Sequence, residues 1–126
     1  MVQKAEKIWF DGKLVPWDEA NVHILTHTLH YGCGVFEGIR SYECTDGRSA
    51  VYRLTEHMQR LIDSAHILGM TIPFSRDELV KAVVDTLVVN KMKAGYIRPL
   101  VFIGDGVMGV HPGTNPIRVA IATWPW

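Results

Sequence analysis

The 126-residue sequence predicts an α+β fold, in which two helices pack on one face of an antiparallel sheet. Two Asp-Gly pairs, at residues 11–12 and 46–47, are typical of tight hairpin turns, and hairpins join antiparallel strands. Two helical stripes of apolar residues follow one another in the middle of the chain. Apolar segments with strand-like alternation then return, so the order of elements is strands, helices, strands.

The first elements are short strands joined by turns. Residues 8–10 and 13–15 are predicted to form a hairpin around a type I′ turn, which Asp-Gly favours. Residues 26–31 are expected to form a short helical turn, closed by Gly32 and Gly34. Residues 35–42 alternate like a strand, and a second strand is predicted at residues 49–53.

Two helices are predicted next. Thr55 is the expected N-cap of the first helix, and Gly69 follows its last apolar residue. Ser75 and Glu78 have the spacing of a capping box, and the helix that they begin should end near Lys91. The stripes expected to face the sheet are Met58, Leu61, Ile62, Ala65 and Leu68 in the first helix, and Leu79, Ala82, Val83, Leu87 and Val88 in the second.

The last predicted strands span residues 95–104 and 117–124 and are separated by a glycine-rich loop at 104–113. Ile97, Val101 and Ile103 fall on one strand face and are expected in the core. Pro99 has no ladder donor, which indicates an edge strand or a bulge. The loop lacks the Gly-Lys-Ser/Thr of a Walker A motif, so we interpret it as a connection that brings backbone close to a ligand.

Composition excludes several classes of protein. The 13 basic and 13 acidic residues balance and form no basic run, so no nucleic-acid partner is expected. No apolar run reaches the roughly 18 residues of a membrane span, and no secretory signal precedes the first strand. Cys33 and Cys44 are predicted to be reduced thiols of a cytoplasmic protein. The histidines at 23, 27 and 30 lack acidic or cysteine ligands at matching spacing, so no metal site is expected.

Three groups of side chains are candidates for chemistry, each with a plainer alternative. Tyr96 and Arg98 share a strand face and suit a carboxylate, unless Arg98 is simply a solvated edge residue. Phe36 and Gly38 suit an apolar wall that a ligand approaches closely, unless they only pack in the core. Arg60 lies about 200° around its helix from Met58, which predicts a solvated residue, or an anion ligand if a second domain covers that face.

Six segments, in order along almost the whole chain, form a recognisable set of motifs. They are Ile8-Trp9-Phe10-Asp11-Gly12, His30-Tyr31-Gly32, Val35-Phe36-Glu37-Gly38-Ile39-Arg40, Glu56-His57-Met58-Gln59-Arg60-Leu61, Tyr96-Ile97-Arg98-Pro99-Leu100 and Gly106-Val107-Met108-Gly109-Val110. Together they resemble the fold type IV pyridoxal-phosphate family and, within it, the branched-chain aminotransferases. The helix segment that ends in Arg60-Leu61 is shared with D-amino acid aminotransferases and aminodeoxychorismate lyases, whereas the Tyr96-x-Arg98 pair is the better mark of the branched-chain members.

The resemblance implies that residues 1–126 are the N-terminal small domain of such an enzyme. Arg60 would hold the 5′-phosphate of pyridoxal phosphate, and Tyr96 and Arg98 would receive the distal carboxylate of glutamate or 2-oxoglutarate. Arg60 and this pair would then converge on one cavity that a second domain completes. The other implied substrate-pocket residues are Phe36, Gly38 and Trp126 in this subunit and Tyr31, Met108, Gly109 and Val110, which reach the neighbouring subunit of a homodimer or higher homo-oligomer.

The family's cofactor-binding lysine and the carboxylate that pairs with the cofactor's ring nitrogen belong to a C-terminal domain, which would be the chain's first partner. None of the six lysines here follows the family motif, so no catalytic residue is assigned and no covalent cofactor is expected. The ending at Trp124-Pro125-Trp126 suggests a truncated chain that self-associates and is inactive alone.

The reaction expected of the intact enzyme is amino-group transfer from leucine, isoleucine or valine to 2-oxoglutarate, as in branched-chain amino acid biosynthesis. The nearest alternatives are the small domains of the two related enzyme classes. A non-catalytic domain that binds a ligand or a partner is the alternative of another kind.

Overall fold

The computed structural model describes residues 1–126 and has the predicted α+β fold. No helix is long and apolar enough to cross a membrane. A short 3-10 turn at Trp17–Glu19 follows the first hairpin. The other elements are β1 (Lys7–Phe10), β2 (Lys13–Pro16), α1 (His27–Tyr31), β3 (Gly34–Phe36), β4 (Ile39–Glu43), β5 (Ser49–Val51), α2 (Leu54–Ile67), α3 (Arg76–Val89), β6 (Gly95–Ile103) and β7 (Ile117–Trp124).

The sheet is antiparallel throughout and has the strand order β2-β1-β7-β6-β4-β5, with β3 also paired to β6. The first turn is as predicted, because Asp11 (φ 47°) and Gly12 (φ 92°) both have the positive φ of a type I′ turn. The Asp11 carboxylate also accepts hydrogen bonds from Val119 N (2.8 Å) and Arg118 Nε (2.7 Å), which fix the turn to β7.

The core lies between the sheet and the two long helices. The odd-numbered residues of the central strands face the helices, whereas the even-numbered residues face the open side of the sheet. Two residues that the sequence predicted to lie in the core are exposed, so that prediction was wrong for them. Leu68 is 45% exposed because α2 has already ended, and Val88 is 70% exposed on the outer side of α3. The fully buried residues of the interface include Met58, Leu61, Leu79, Val83, Ile97, Val101, Val119 and Ile121.

The start of α2 also differs from the prediction. Arg53, not Thr55, is the N-cap residue, and it has a left-handed conformation (φ 52°) without a side-chain cap. The chain leaves β5 at Val51 and turns directly into the helix, so the strand predicted to reach residue 53 is shorter. The α3 capping box is confirmed, with Glu78 N bonded to Ser75 Oγ at 3.2 Å and Ser75 N bonded to Glu78 Oε2 at 2.7 Å.

The strand predicted at 35–42 is divided into β3 and β4 by a gap at Glu37 and Gly38. The register against β6 is the same on both sides of the gap. Glu37 N donates to Pro99 O at 3.0 Å, but proline has no N–H with which to return the bond. The prediction that Pro99 marks an edge strand or a bulge was therefore wrong. The strand β6 is central, and its neighbour accommodates the proline.

Candidate active site

The open face of the sheet carries a cluster around Arg98. Its Nη2 donates to the Tyr96 hydroxyl at 2.8 Å, and its Cζ lies 4.3 Å from the centroid of the Phe36 ring. The Nε of Arg98 is buried and has no hydrogen-bond partner. Tyr96 and Arg98 thus share a face, and an unused donor lies between aromatic rings.

The other residues of this cluster lie against the Tyr96 side chain. The ring centroids of Trp124 and Trp126 each lie 4.9 Å from the Tyr96 centroid. A Cβ atom on Gly38 would lie 2.5 Å from the Tyr96 hydroxyl oxygen, so only glycine allows this approach. The structure therefore brings together five of the residues predicted from the sequence, Phe36, Gly38, Tyr96, Arg98 and Trp126.

Arg60 lies elsewhere, above a buried carboxylate. Its Nε is 2.5 Å from Glu37 Oε1 and its Nη2 is 2.7 Å from Glu37 Oε2. His57 Nδ1 is 2.9 Å from the same Oε2. Glu37 is 5% exposed, whereas the Arg60 side chain is 66% exposed. We call Glu37, His57 and Arg60 the carboxylate triad.

Two opposing effects set the charge of this triad. Burial raises the pKa of Glu37, but the hydrogen bonds and charges of Arg60 and His57 together lower it more, so it falls below the ordinary 4.5. The hydrogen bond and charge of Glu37 raise the pKa of Arg60 in return. Both members of the ion pair are therefore charged at neutral pH.

A hollow of about 350 Å³ lies beside Arg60 and is lined by Tyr52, Arg53, Glu56, His57 and Arg60. Arg53 is paired with Glu56 at 3.0 Å. A guanidinium has five N–H donors, and Glu37 uses two of those on Arg60, which leaves three. Cationic donors beside an open hollow match the chemistry of a phosphate group.

Arg60 and the Arg98 cluster do not share one cavity in this chain. The hollow beside Arg60 contains neither Tyr96 nor Arg98. The two surfaces adjoin at the gap between β3 and β4, where Glu37 faces the helices while Phe36 and Gly38 face the open side. The single cavity predicted from the sequence is thus not formed by residues 1–126 alone.

The remaining predicted site residues form a second group around the glycine-rich loop. The Tyr31 hydroxyl donates to Met108 O at 2.7 Å, and His27 Nε2 is 2.8 Å from Gly109 O. Val110 projects from this loop and is 79% exposed. None of these hydrogen bonds reaches the Arg98 cluster.

The other two histidines that sequence analysis considered also contact backbone atoms. Leu25 N donates to His23 Nδ1 at 3.1 Å, and His30 Nε2 is 2.8 Å from Ile24 O. No group of three or more His, Cys, Asp or Glu side chains is arranged to hold a metal ion.

Sequence analysis assigned no role to three residues that organise these surfaces. Glu37 and His57 belong to the triad, and a carboxylate at a core-facing strand position was the available signal, since such a group needs a partner. His57 and Arg60, three residues apart on one helix, were the matching signal. Asn115 Oδ1 accepts a bond from Val107 N at 2.8 Å, and its Nδ2 donates to Val107 O at 3.0 Å and to Gly104 O at 3.2 Å. The sequence around Asn115 gave no signal of these bonds.

Comparison with known proteins places these surfaces in context. The family model described as amino-transferase class IV matches residues 34–126. A branched-chain-amino-acid aminotransferase of Pseudomonas aeruginosa is 48% identical over 126 residues, which are 100% of this chain and 41% of that protein. One of Salmonella typhimurium is 49% identical over 98% of this chain and 40% of that protein. The chain therefore spans about 40% of the length of these curated relatives.

Solved structures show a similarity to the same class of protein. The crystal structure of the Escherichia coli branched-chain amino acid aminotransferase matches with a TM-score of 0.94 and 48% identity, over 98% of this chain and 40% of that one. A branched-chain amino acid aminotransferase from T.th., complexed with N-(5′-phosphopyridoxyl)-L-glutamate, matches with a TM-score of 0.93 and 44% identity, over 98% of this chain and 41% of that one.

Proposed function

Because the chain belongs to the class IV amino-transferase family, we propose that residues 1–126 form the small domain of a branched-chain amino acid aminotransferase. The complete protein, which we take to include a C-terminal domain with the catalytic lysine, would move the amino group of leucine, isoleucine or valine to 2-oxoglutarate. The support is that relatives with this name match the whole chain or nearly all of it at 48–49% identity.

The proposed cofactor is pyridoxal 5′-phosphate, with Arg60 as one ligand of its phosphate. The three unused donors of Arg60 and the adjoining hollow suit this group, and the T.th. relative was solved with a phosphopyridoxyl compound. When bound, the cofactor supplies the electron sink of transamination. The residues of this chain bind its phosphate and orient the substrate beside it.

The Arg98 cluster is the observation that carries the substrate assignment. Arg98 makes one side-chain hydrogen bond, to the Tyr96 hydroxyl, so an arriving carboxylate gains charge-assisted bonds from its remaining Nη donors without displacing an ion pair. Tyr96 supplies a hydroxyl to the same carboxylate. Phe36 and Trp126 surround this point with apolar area, which suits the aliphatic side chains of the other substrates. One surface can thus accept both substrate classes in turn.

The glycine-rich loop is proposed to complete the pocket of a neighbouring subunit in a cytoplasmic homodimer or higher homo-oligomer. Tyr31 and His27 fix the loop backbone at Met108 and Gly109, so the exposed apolar side chain of Val110 projects from a fixed base. Both cysteines are unpaired, as in a reducing compartment.

The complete protein should convert leucine and 2-oxoglutarate to 4-methyl-2-oxopentanoate and glutamate. Replacing Arg98 by alanine should raise KM for 2-oxoglutarate at least tenfold, the equivalent of about 1.4 kcal/mol, and should affect KM for leucine less. Arg118→Ala is the matched control, because Arg118 also lies over an aromatic ring, that of Phe10. Transfer from D-alanine but not leucine would indicate a D-amino acid aminotransferase, and no transfer at all would favour a non-catalytic domain.

A further inference from the structure

The carboxylate triad contains a residue whose place is not explained by packing alone. Glu37 lies in the gap between β3 and β4, on the side of the sheet that faces the core, where apolar side chains are the rule, and it is 5% exposed. Its two oxygens accept three bonds, two from Arg60 and one involving His57. Both partners lie on α2 and line the hollow beside Arg60. The buried carboxylate therefore connects the sheet to the cationic side of that hollow.

We propose that Glu37 is a positioning residue for the cofactor phosphate, because its carboxylate holds one edge of the Arg60 guanidinium and so directs the other edge toward the phosphate. This inference rests on the proposed role of Arg60. Nε and Nη2 form the edge bonded to Glu37, and both hydrogens of Nη1 with the second hydrogen of Nη2 form the free edge. A planar group fixed along one edge has its other donors fixed as well.

Positioning and simple electrostatics predict opposite results when this carboxylate is neutralised. Arg60 is mostly exposed and its side chain is long, so without Glu37 it would sample many rotamers, and binding a phosphate would have to restrict them. Electrostatics alone predicts the reverse, because removal of a negative charge makes the hollow more positive and favours an anion. The sign of the effect therefore distinguishes the two explanations.

The test compares pyridoxal 5′-phosphate with pyridoxal, which lacks only the phosphate, as ligands of the complete apo-protein. Dissociation constants are measured by fluorescence titration. In Glu37→Gln, the preference for the phosphorylated ligand should fall about tenfold, the effect typical of losing a partner that orients a ligand residue. Pyridoxal affinity should not change. Glu43→Gln is the matched control, since Glu43 is exposed and paired only with Lys93.

A double-mutant cycle checks that Glu37 acts through Arg60. The effect of Glu37→Gln should disappear in an Arg60→Ala background. Glu37→Asp, which keeps the charge but shortens the side chain by one methylene, should also lower the preference and serves if the glutamine variant does not fold. An unchanged or increased preference in Glu37→Gln, an equal loss for both ligands, or an effect that persists without Arg60 would overturn the proposal.

The same data separate this inference from the function on which it rests. A wild-type protein that does not distinguish pyridoxal 5′-phosphate from pyridoxal would overturn the proposed cofactor site, and the role of Glu37 with it. A preference that Arg60→Ala removes but Glu37→Gln leaves intact would overturn only the role of Glu37.

Discussion

Gly38 shows how one missing side chain determines the shape of the candidate substrate site. A Cβ atom there would lie 2.5 Å from the Tyr96 hydroxyl oxygen and 3.4 Å from Cζ of the same ring. The first contact is too close to exist, whereas the second is ordinary van der Waals contact. The conflict therefore comes from a single oxygen atom.

Gly38→Ala should displace the Tyr96 phenol and break its hydrogen bond to Arg98. We expect a loss of about 1 kcal/mol in the free energy of unfolding, at the low end for an overpacked site, and a KM for 2-oxoglutarate raised roughly tenfold. In a Tyr96→Phe background the alanine should cost little, because the obstructing oxygen is gone. Steady-state kinetics and urea unfolding measure both effects, and an equal cost in the two backgrounds would refute this explanation.

The ion pair of Glu37 should make the free energy of unfolding depend on pH. Burial raises the pKa of Glu37 but Arg60 and His57 lower it more, so its folded value lies below its unfolded value of 4.5. Its stabilisation is thus complete above 4.5 and is lost as the pH falls through the folded value. The free energy of unfolding should therefore fall less between neutral and acidic pH in Glu37→Gln than in the wild type. Parallel pH curves from urea unfolding would contradict this, since all other carboxylates are common to both proteins.

At the scale of elements, Asn90 joins the end of α3 to the first hairpin. Its Oδ1 accepts bonds from Glu6 N (3.0 Å) and Lys7 N (2.8 Å), and its Nδ2 donates to Lys7 O and Thr123 Oγ1 at 2.9 Å each. One side chain thus connects a helix, the start of β1 and β7. The amide oxygen therefore binds the start of β1, and the amide nitrogen binds both β1 and β7.

Asn90→Asp keeps the oxygen that accepts the two backbone bonds, but it removes both N–H donors and places a carboxylate oxygen against the Lys7 carbonyl. We expect the free energy of unfolding to fall by about 2 kcal/mol, or roughly 1 kcal/mol for each lost bond. Asn21→Asp is the control, because Asn21 makes one exposed bond, to Asp18 O. Urea unfolding of the two variants compares them directly, and similar values would show that the bonds of Asn90 contribute nothing particular.

Local chemistry explains which elements were predictable from the sequence. The hairpin turn at Asp11 and the capping box at Ser75 depend on residues close in sequence, and both were predicted. The gap at Glu37 depends on Pro99, and the N-cap at Arg53 on how the chain leaves β5, so neither follows from a local pattern. Alternation placed Tyr96 and Arg98 on one face, whereas the carboxylate triad joins a strand gap to a helix and was missed.

At the scale of the whole molecule, the two faces of the sheet differ. The helices cover one face, whereas the other exposes Phe36 (59%), Leu100 (37%) and Trp126 (73%). An apolar hollow of about 280 Å³ lies further along the open face, between Phe10, Leu29 and Phe102. Exposed apolar area of this extent is typical of an interaction surface.

Residues 1–126 alone should therefore self-associate through the open face. Light scattering at rising concentration should show species larger than a monomer, and Leu100→Lys should reduce them. Val88→Lys is the matched control, because Val88 is exposed on the outer side of α3. If residues 1–126 remain monomeric at high concentration, or if only Val88→Lys reduces the larger species, the open face does not mediate self-association.

Pro99 has a mechanical consequence for the site. A sheet resists deformation because neighbouring peptide units hold one another on both sides, and here the carbonyl of Glu37 has no amide opposite it. The peptide unit between Glu37 and Gly38 can rotate without rupturing a ladder bond, while the paired residues on either side stay in place. This peptide unit joins Glu37, which pairs with Arg60, to Gly38, which lies against the Tyr96 hydroxyl, so a rotation there would change both contacts together.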